Sequence, residues 1–262
     1  MNIVVCVKQV PDTNEIKIDP VKNTLIRTGV PSIMNPFDKN ALEQALSLKE
    51  KTGGTVTAIS MGPDQAKAVL REALAMGADN AYLVTDRAFG GSDTYATSYI
   101  LSEVIKKIGP FDVVLGGIQA IDGDTGQTAS SIAEHLGLNR VSYVLDMDVE
   151  DGKAIIRRKT EEGVAVIEAK LPVLATSLKE SNKPRYRTIK GVIDALKADI
   201  PEIRFSDLPA IDETKIGLKG SPTRVKATFT PKRSASGEVM EAINPQETAK
   251  VLIGKLVEAK LV

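Results

Sequence analysis

From Asn2 to Leu136 short apolar runs alternate with helical stretches, and this alternation narrows the chain to one fold class. The apolar runs are Asn2–Val7, Thr55–Met61, Asn80–Val84 and Asp112–Gly116, each short and nearly continuous, as expected of strands buried on both faces. The first helical stretch places Ala41, Leu42, Ala45 and Leu46 on one face, with Asp38 as its expected N-cap and Gly53-Gly54 as its stop. Three more helices are expected over Asp64–Met76, Asp93–Lys107 and Gln127–Leu136. Strands and helices in strict turn call for an α/β fold: an open, mostly parallel sheet with helices on both faces.

Two regions break the rhythm. Between Lys8 and Pro36, the runs Ile16–Asp19 and Thr24–Arg27 flank turn-forming residues and predict a small hairpin flap. After Leu138, strand-like runs surround Glu150-Asp151-Gly152, and Gly163–Ser177 adds two more strands, expected to extend or edge the sheet. A polar loop follows, then a short helix near Ile189–Ala198 and a Pro/Lys/Gly-rich stretch from Pro201 to Gly237. The last segment, Asn244–Val262, carries Ala249, Leu252, Ile253, Leu256 and Val257 on one helical stripe. Such a stripe needs a surface to cover it, either the chain's own core or a partner subunit. The expected organisation is an α/β domain over 1–200 and an extended C-terminal arm over 201–262 that packs on a partner.

Composition removes several functions. The 262 residues hold 34 Lys+Arg against 34 Asp+Glu, so no basic field exists to hold nucleic acid. One Cys and one His exclude a disulfide framework and a Cys/His zinc site, and leave little for nucleophile-plus-His catalysis. Redox work in such a chain falls to a cofactor. No apolar run approaches the ~18–20 residues of a membrane span, and Met1 leads straight into a strand-like segment, so a cytoplasmic location is expected.

The most informative stretch is Gly116–Thr128, GGIQAIDGDTGQT, which leaves the fourth strand and opens a helix. Ligands of open α/β sheets sit outside the carboxyl ends of the strands, where glycines admit a phosphate and a helix N-terminus offers free N–H groups. The pattern is neither G-x-G-x-x-G nor a P-loop. Asp122 and Asp124 would repel a bare phosphate and suit ribose hydroxyls or backbone caps, leaving Thr125, Gln127, Thr128 and main-chain amides for phosphate. A nucleotide site and a purely structural turn both remain open on spacing alone. Thr94 and Thr97, one helical turn apart, could both face a phosphate or sugar, while Ser92 or Asp93 beside them also reads as a plain N-cap. Cys6 reads as a small core residue and His135 as a partner of its helix dipole.

Several of these pieces, in this order, resemble the beta subunit of electron transfer flavoproteins, the FixA-like branch included. The matching stretches are VCVKQVPD (Val5–Asp12), MNPFDKNALEQAL (Met34–Leu46), SMGP (Ser60–Pro63), EALAMGAD (Glu72–Asp79), GGIQAIDGDTGQT, Ile156–Thr176 and NKPRY (Asn182–Tyr186). The resemblance implies an adenine-nucleotide-binding, Rossmann-like fold and a heterodimer with an alpha subunit that carries FAD. It places nucleotide contacts at Cys6, at Asn35, Pro36, Phe37 and Asp38, and at Met61. It extends them through Gly117, Ile118, Gln119, Ala120, Asp122, Gly123, Asp124, Thr125, Gly126, Gln127 and Thr128. The occupant is AMP in electron-shuttling members and a second FAD in flavin-bifurcating members. Asp122-Gly123-Asp124-Thr125 resembles the bifurcating pattern, as does the element holding Thr94 and Thr97, so FAD is expected, with AMP as the alternative. Such a flavin would take a hydride from NADH and divide its electrons between a low-potential ferredoxin or flavodoxin and a quinone oxidoreductase or acyl-CoA dehydrogenase branch. The loop Ser181, Asn182, Lys183, Pro184, Arg185 and Tyr186 corresponds to the family's docking loop. Ser181 stands where members that dock acyl-CoA dehydrogenases expose a Leu, which favours a different acceptor.

Overall fold

The computed structural model describes residues 1–12, 31–226, 237 and 244–262. They fall into two units, Met1–Lys226 and Ala227–Val262. In chain order the elements of the first unit begin with β1 (Asn2–Cys6), β2 (Gln9–Pro11), β3 (Ser32–Met34), α1 (Pro36–Thr52) and β4 (Thr55–Met61). They continue through α2 (Lys67–Met76), β5 (Asn80–Val84), α3 (Thr94–Ile108), β6 (Val113–Gly117) and α4 (Thr128–Leu136). The remainder are β7 (Asn139–Glu150), β8 (Lys153–Lys159), β9 (Val164–Lys170), β10 (Val173–Ser177), α5 (Ile189–Lys197), β11 (Glu202–Ile203) and the one-turn α6 (Gly217–Gly220). The second unit holds α7 (Pro245–Glu258).

Nine strands form one sheet in the order β11-β5-β4-β1-β6-β10-β7-β8-β9. From β11 to β7 every pairing is parallel; β8 and β9 continue it antiparallel. The chain lays β4 and β5 on one side of β1 and then crosses to place β6 on the other, so the strand order reverses between β1 and β6. Side chains alternate between two cores. Ile3, Val5, Val56, Ala58, Val113 and Leu115 meet α1 and α2 residues such as Leu42, Leu46 and Leu70. Val4, Ile59, Val114 and Leu174 meet α3 and α4 residues such as Ile100, Val104 and Ile132. Burying each such Leu, Ile or Val contributes about 2 kcal/mol.

The α/β architecture is the expected one, and the strands Thr55–Met61 and Asn80–Val84 have the expected bounds. Three local readings change. Val173–Ser177 does not extend or edge the sheet: it is an interior strand between β6 and β7. All five of its residues are buried, which suits its small and apolar sequence VLATS. Asp38 is not the N-cap of the first helix. The helix starts at Pro36, whose fixed φ and missing N–H fit a first-turn position, and Asn35 holds the cap position in an extended conformation. The stretch from Asp64 opens as a single 3-10 turn before α2 starts at Lys67. The flap expected around Ile16–Asp19 and Thr24–Arg27 lies outside the described residues; β2 and β3, on either side of it, pair antiparallel.

Residues 201–226 belong to the first unit. β11 pairs with β5, and the stretch through α6 is stitched to the start of α3: Gly217 N donates to Ser92 Oγ at 3.0 Å, and Thr223 N and Oγ1 donate to Asp93 Oδ2 at 2.9 and 2.7 Å. Among the described residues no helix is long and apolar enough to cross a membrane.

Candidate functional site

A parallel sheet whose order reverses between two strands opens a crevice at their carboxyl ends. Here β1 ends in Cys6 and runs on to Val7 and Lys8, while β6 ends in Gly117 and leads into the loop that opens α4. The loop turns through left-handed Asp124 (φ +48°) and Gly126 (φ +61°). Gln127 at the cap position of α4 makes no side-chain cap, so the amides of Thr128, Ala129 and Ser130 find no acceptor among the described residues. Free amides and the positive end of the helix dipole suit an anion. At Gly116 a Cβ would make only ordinary contacts, 3.5 Å to that of Ala129 and 4.0 Å to that of Cys6, so the helix packs close to the strand end without needing this glycine.

The start of α1 holds the loop from behind. Asn35 is fully buried; its Nδ2 donates to Gln119 O at 2.8 Å and its Oδ1 accepts from Ile121 N at 3.3 Å. Asp38, 7% exposed, accepts from Gly117 N at 2.9 Å and from Lys8 N at 2.8 Å, tying the ends of β6 and β1 together. Burial pushes its carboxyl up to about 7, against the lowering effect of hydrogen bonds from Asn35, Gly117 and Lys8 and of the Lys8 charge. Burial, and then the Asp38 carboxylate, push the Cys6 thiol up to about 12, so it stays protonated and unreactive. Phe37 and Asp38 press on Gly117, where a Cβ would fall 2.6 Å from Phe37 Cβ.

The two loop carboxylates have partners. Lys8 Nζ grips Asp122 at 2.7 and 2.8 Å, and Gln119 Nε2 donates to Asp124 at 3.1 Å. The Gly loop has no lysine of its own, so this cation comes from the other side of the crevice. Buried polar atoms without partners lie along the same edge. Ser60 Oγ ends β4, and Thr176 Oγ1 and Ser177 Oγ end β10, in register with Gly116 and Gly117. Arg158 Nε is likewise buried and unpaired, and its guanidinium carbon lies 5.9 Å from the ring centroid of Tyr143, a residue held at φ +62° where β7 bulges. Ser60, Thr176 and Ser177 thus leave three unpaired hydroxyls near the carboxyl ends of the strands, the edge at which ligands of open α/β sheets sit. Sequence reading passed over Thr176 and Ser177 because their adjacency to Gly116 and Gly117 depends on β10 lying inside the sheet.

Other expected residues are more scattered. Met61, half-buried, ends β4 and packs on the α3/α4 core. Thr94 and Thr97 are half-buried on the first turns of α3, and Thr97 Oγ1 makes only a long contact to Ser92 O at 3.5 Å. Asp93 is indeed the cap, accepting from Ala96 N. His135, in the last turn of α4, stands edge-on to Tyr95 and Tyr99, where burial and then the Lys106 charge lower its pKa. In the loop 181–186, Asn182 exchanges hydrogen bonds with Asn40, and Arg185 grips Glu43 and Glu50 of α1. Ser181 Oγ turns back to Leu178 O, leaving Lys183 and Tyr186 to project. Next to Tyr186, α5 exposes Ile189, Val192, Ile193 and Leu196 at helical spacing, a stripe missed in the sequence.

The electron transfer flavoprotein domain matches residues 22–208. An electron transfer flavoprotein subunit beta from Thermoanaerobacterium thermosaccharolyticum is 54% identical over 256 residues, covering 98% of either chain. The chain belongs to the electron transfer flavoprotein beta-subunit family. The caffeyl-CoA reductase-Etf complex subunit CarD of Acetobacterium woodii is 50% identical over 263 residues and 100% of both chains. FixA of Azotobacter vinelandii is 46% identical over 268 residues, covering 98% of this chain and 94% of its own. A beta subunit works with an alpha subunit, so the crevice between β1 and β6 belongs to half of a larger flavoprotein.

Proposed function

We propose that this beta subunit binds FAD in the crevice between β1 and β6 and takes part in NADH-dependent electron bifurcation in the cytoplasm. One observation carries the reading: the uncapped amides of α4 and the unpaired hydroxyls of Thr176 and Ser177 lie on one strand edge, under a glycine loop already clamped in place. The main chain from Gly117 to Thr128 would take the pyrophosphate. Thr94 and Thr97 would reach the longer ligand, and Asp122 or Asp124 a ribose hydroxyl. Lys8 offsets the charge of Asp122, which would otherwise repel the phosphates. Bound there, the flavin would supply hydride acceptance from NADH and pass electrons to ferredoxin or flavodoxin and, through the alpha-subunit FAD, to a quinone oxidoreductase or acyl-CoA dehydrogenase. Likeness to a caffeyl-CoA reductase-Etf subunit supports an acceptor that works on a CoA thioester; Ser181 in place of an apolar anchor supports the quinone branch.

A second reading, a structural AMP, is favoured by Asp93: its carboxylate already accepts from the N-terminus of α3, which leaves less there for a second phosphoryl group, whereas α4 has no side-chain cap. The absorbance spectrum and extracted nucleotides of the purified heterodimer separate the two. Two flavins per heterodimer are expected; one flavin with one AMP would replace bifurcation by a one-flavin shuttle.

A further inference from the structure

Asp38 is the buried carboxylate on which the whole crevice turns. Its two oxygens hold one amide on each side of the reversal in strand order, Lys8 N on β1's extension and Gly117 N at the end of β6. Each arm leads into the proposed site: Lys8 itself reaches on to Asp122, and the glycine loop continues from Ile118. Asn35 completes the clamp one turn earlier, on Gln119 O and Ile121 N. A carboxylate accepts at both oxygens; a carboxylic acid turns one of them into a donor, which faces an N–H it can no longer accept. We propose that Asp38 is a positioning residue of the nucleotide loop and that its ionised form holds the loop in the binding geometry, so that taking up a proton loosens the loop and weakens nucleotide binding. This rests on the nucleotide reading of the site and adds its regulation.

Facing Asp38 from the end of β1 and its extension are Cys6, whose thiol burial pushes up to about 12, and Lys8, whose side chain is paired to Asp122. From the loop come Asp122, paired to Lys8, and Asp124, paired to Gln119; on its own helix Lys39 is turned to Glu72. Asp38 itself lies at about 7. The sign follows. With its pKa raised above the ordinary ~4 of an aspartate, the folded chain holds a proton that the unfolded chain has lost between about pH 4 and 7, so Asp38 makes its contribution to fold stability in acid and loses it as pH rises through 7. Nucleotide affinity runs the other way, because the clamp needs the carboxylate.

The test uses the heterodimer carrying its alpha-subunit flavin, titrated with FAD by calorimetry from pH 6 to 8.5 in buffers of different ionisation enthalpy. FAD is the right probe because its pyrophosphate has no ionisation in this range, unlike the monoester of AMP, which titrates near pH 6. Affinity is expected to fall by up to about tenfold per pH unit below 7, with a proton released on binding near pH 6.5. Asp38→Asn, which can accept at only one atom, is expected to bind FAD more weakly at pH 8, with a flat pH profile and no proton release. The wild-type profile and proton count stand even if that variant folds poorly. Wild-type affinity that is flat with pH, or tighter in acid because phosphate repels the carboxylate, overturns the clamp while leaving nucleotide binding intact. No binding of FAD or AMP at any pH overturns both.

Discussion

Gly117 and Gly123 are glycines for opposite reasons. At Gly117 a Cβ would strike Asp38 Oδ1 at 2.5 Å, so packing demands the missing side chain, whereas a Cβ at Gly123 meets nothing within 4 Å. What Gly123 withholds is charge rather than volume. An aspartate there would add a third carboxylate to a loop that already holds Asp122 and Asp124, and one Lys8 cannot neutralise them all. Gly123→Asp is therefore expected to leave stability within ~0.5 kcal/mol, as for an exposed surface change. FAD, with one phosphoryl group more than AMP, should lose affinity by about tenfold, a repulsion of roughly 1.4 kcal/mol. Competition between the two nucleotides on the variant heterodimer reads this out, and equal retention of both would sink the pyrophosphate argument. Asn35 and Asp38 teach a related lesson. Sequence resemblance names them as nucleotide contacts, and the fold spends their polar atoms on the loop's own backbone.

Helix α1 holds two loops. Its first turn holds the glycine loop, and further along it Glu43 and Glu50 hold Arg185 of the loop 181–186. Hydrogen bonds that the Arg185 guanidinium donates to Glu43 and Glu50 keep it protonated well above its ordinary range. Glu43 is 8% exposed, so removing its partner strands a carboxylate that water hardly reaches. Arg185→Ala is expected to cost about 2 kcal/mol, less than a fully buried pair because the guanidinium is partly solvated. It should also raise protease cleavage between 181 and 187, measured by denaturant melts and mass mapping; unchanged cleavage would show that Asn182 alone fixes the loop. The helix itself was legible from its apolar period and its Gly53 stop, but not its first residue. Asp38 has the chemistry of an N-cap, and only the backbone of Asn35-Pro36 reveals that it lies inside the first turn.

α7 by itself exposes Leu252, Ile253 and Val257 of the expected stripe, an apolar face that an alpha subunit would cover. Removing residues 244–262 is expected to abolish the heterodimer on size-exclusion chromatography of the coexpressed subunits, and a surviving complex would place the interface elsewhere. The sequence by itself determined the α/β class, most strand and helix bounds, the glycine loop and the family, because these rest on local period, turn chemistry and short motifs. Only the tertiary structure decided where β10 inserts, and with it which side chains meet. Strand order is set by non-local pairing, so Thr176 and Ser177 come beside Gly116 and Gly117, Lys8 beside Asp122, and Asp38 between two strand ends, contacts that no sequence period encodes.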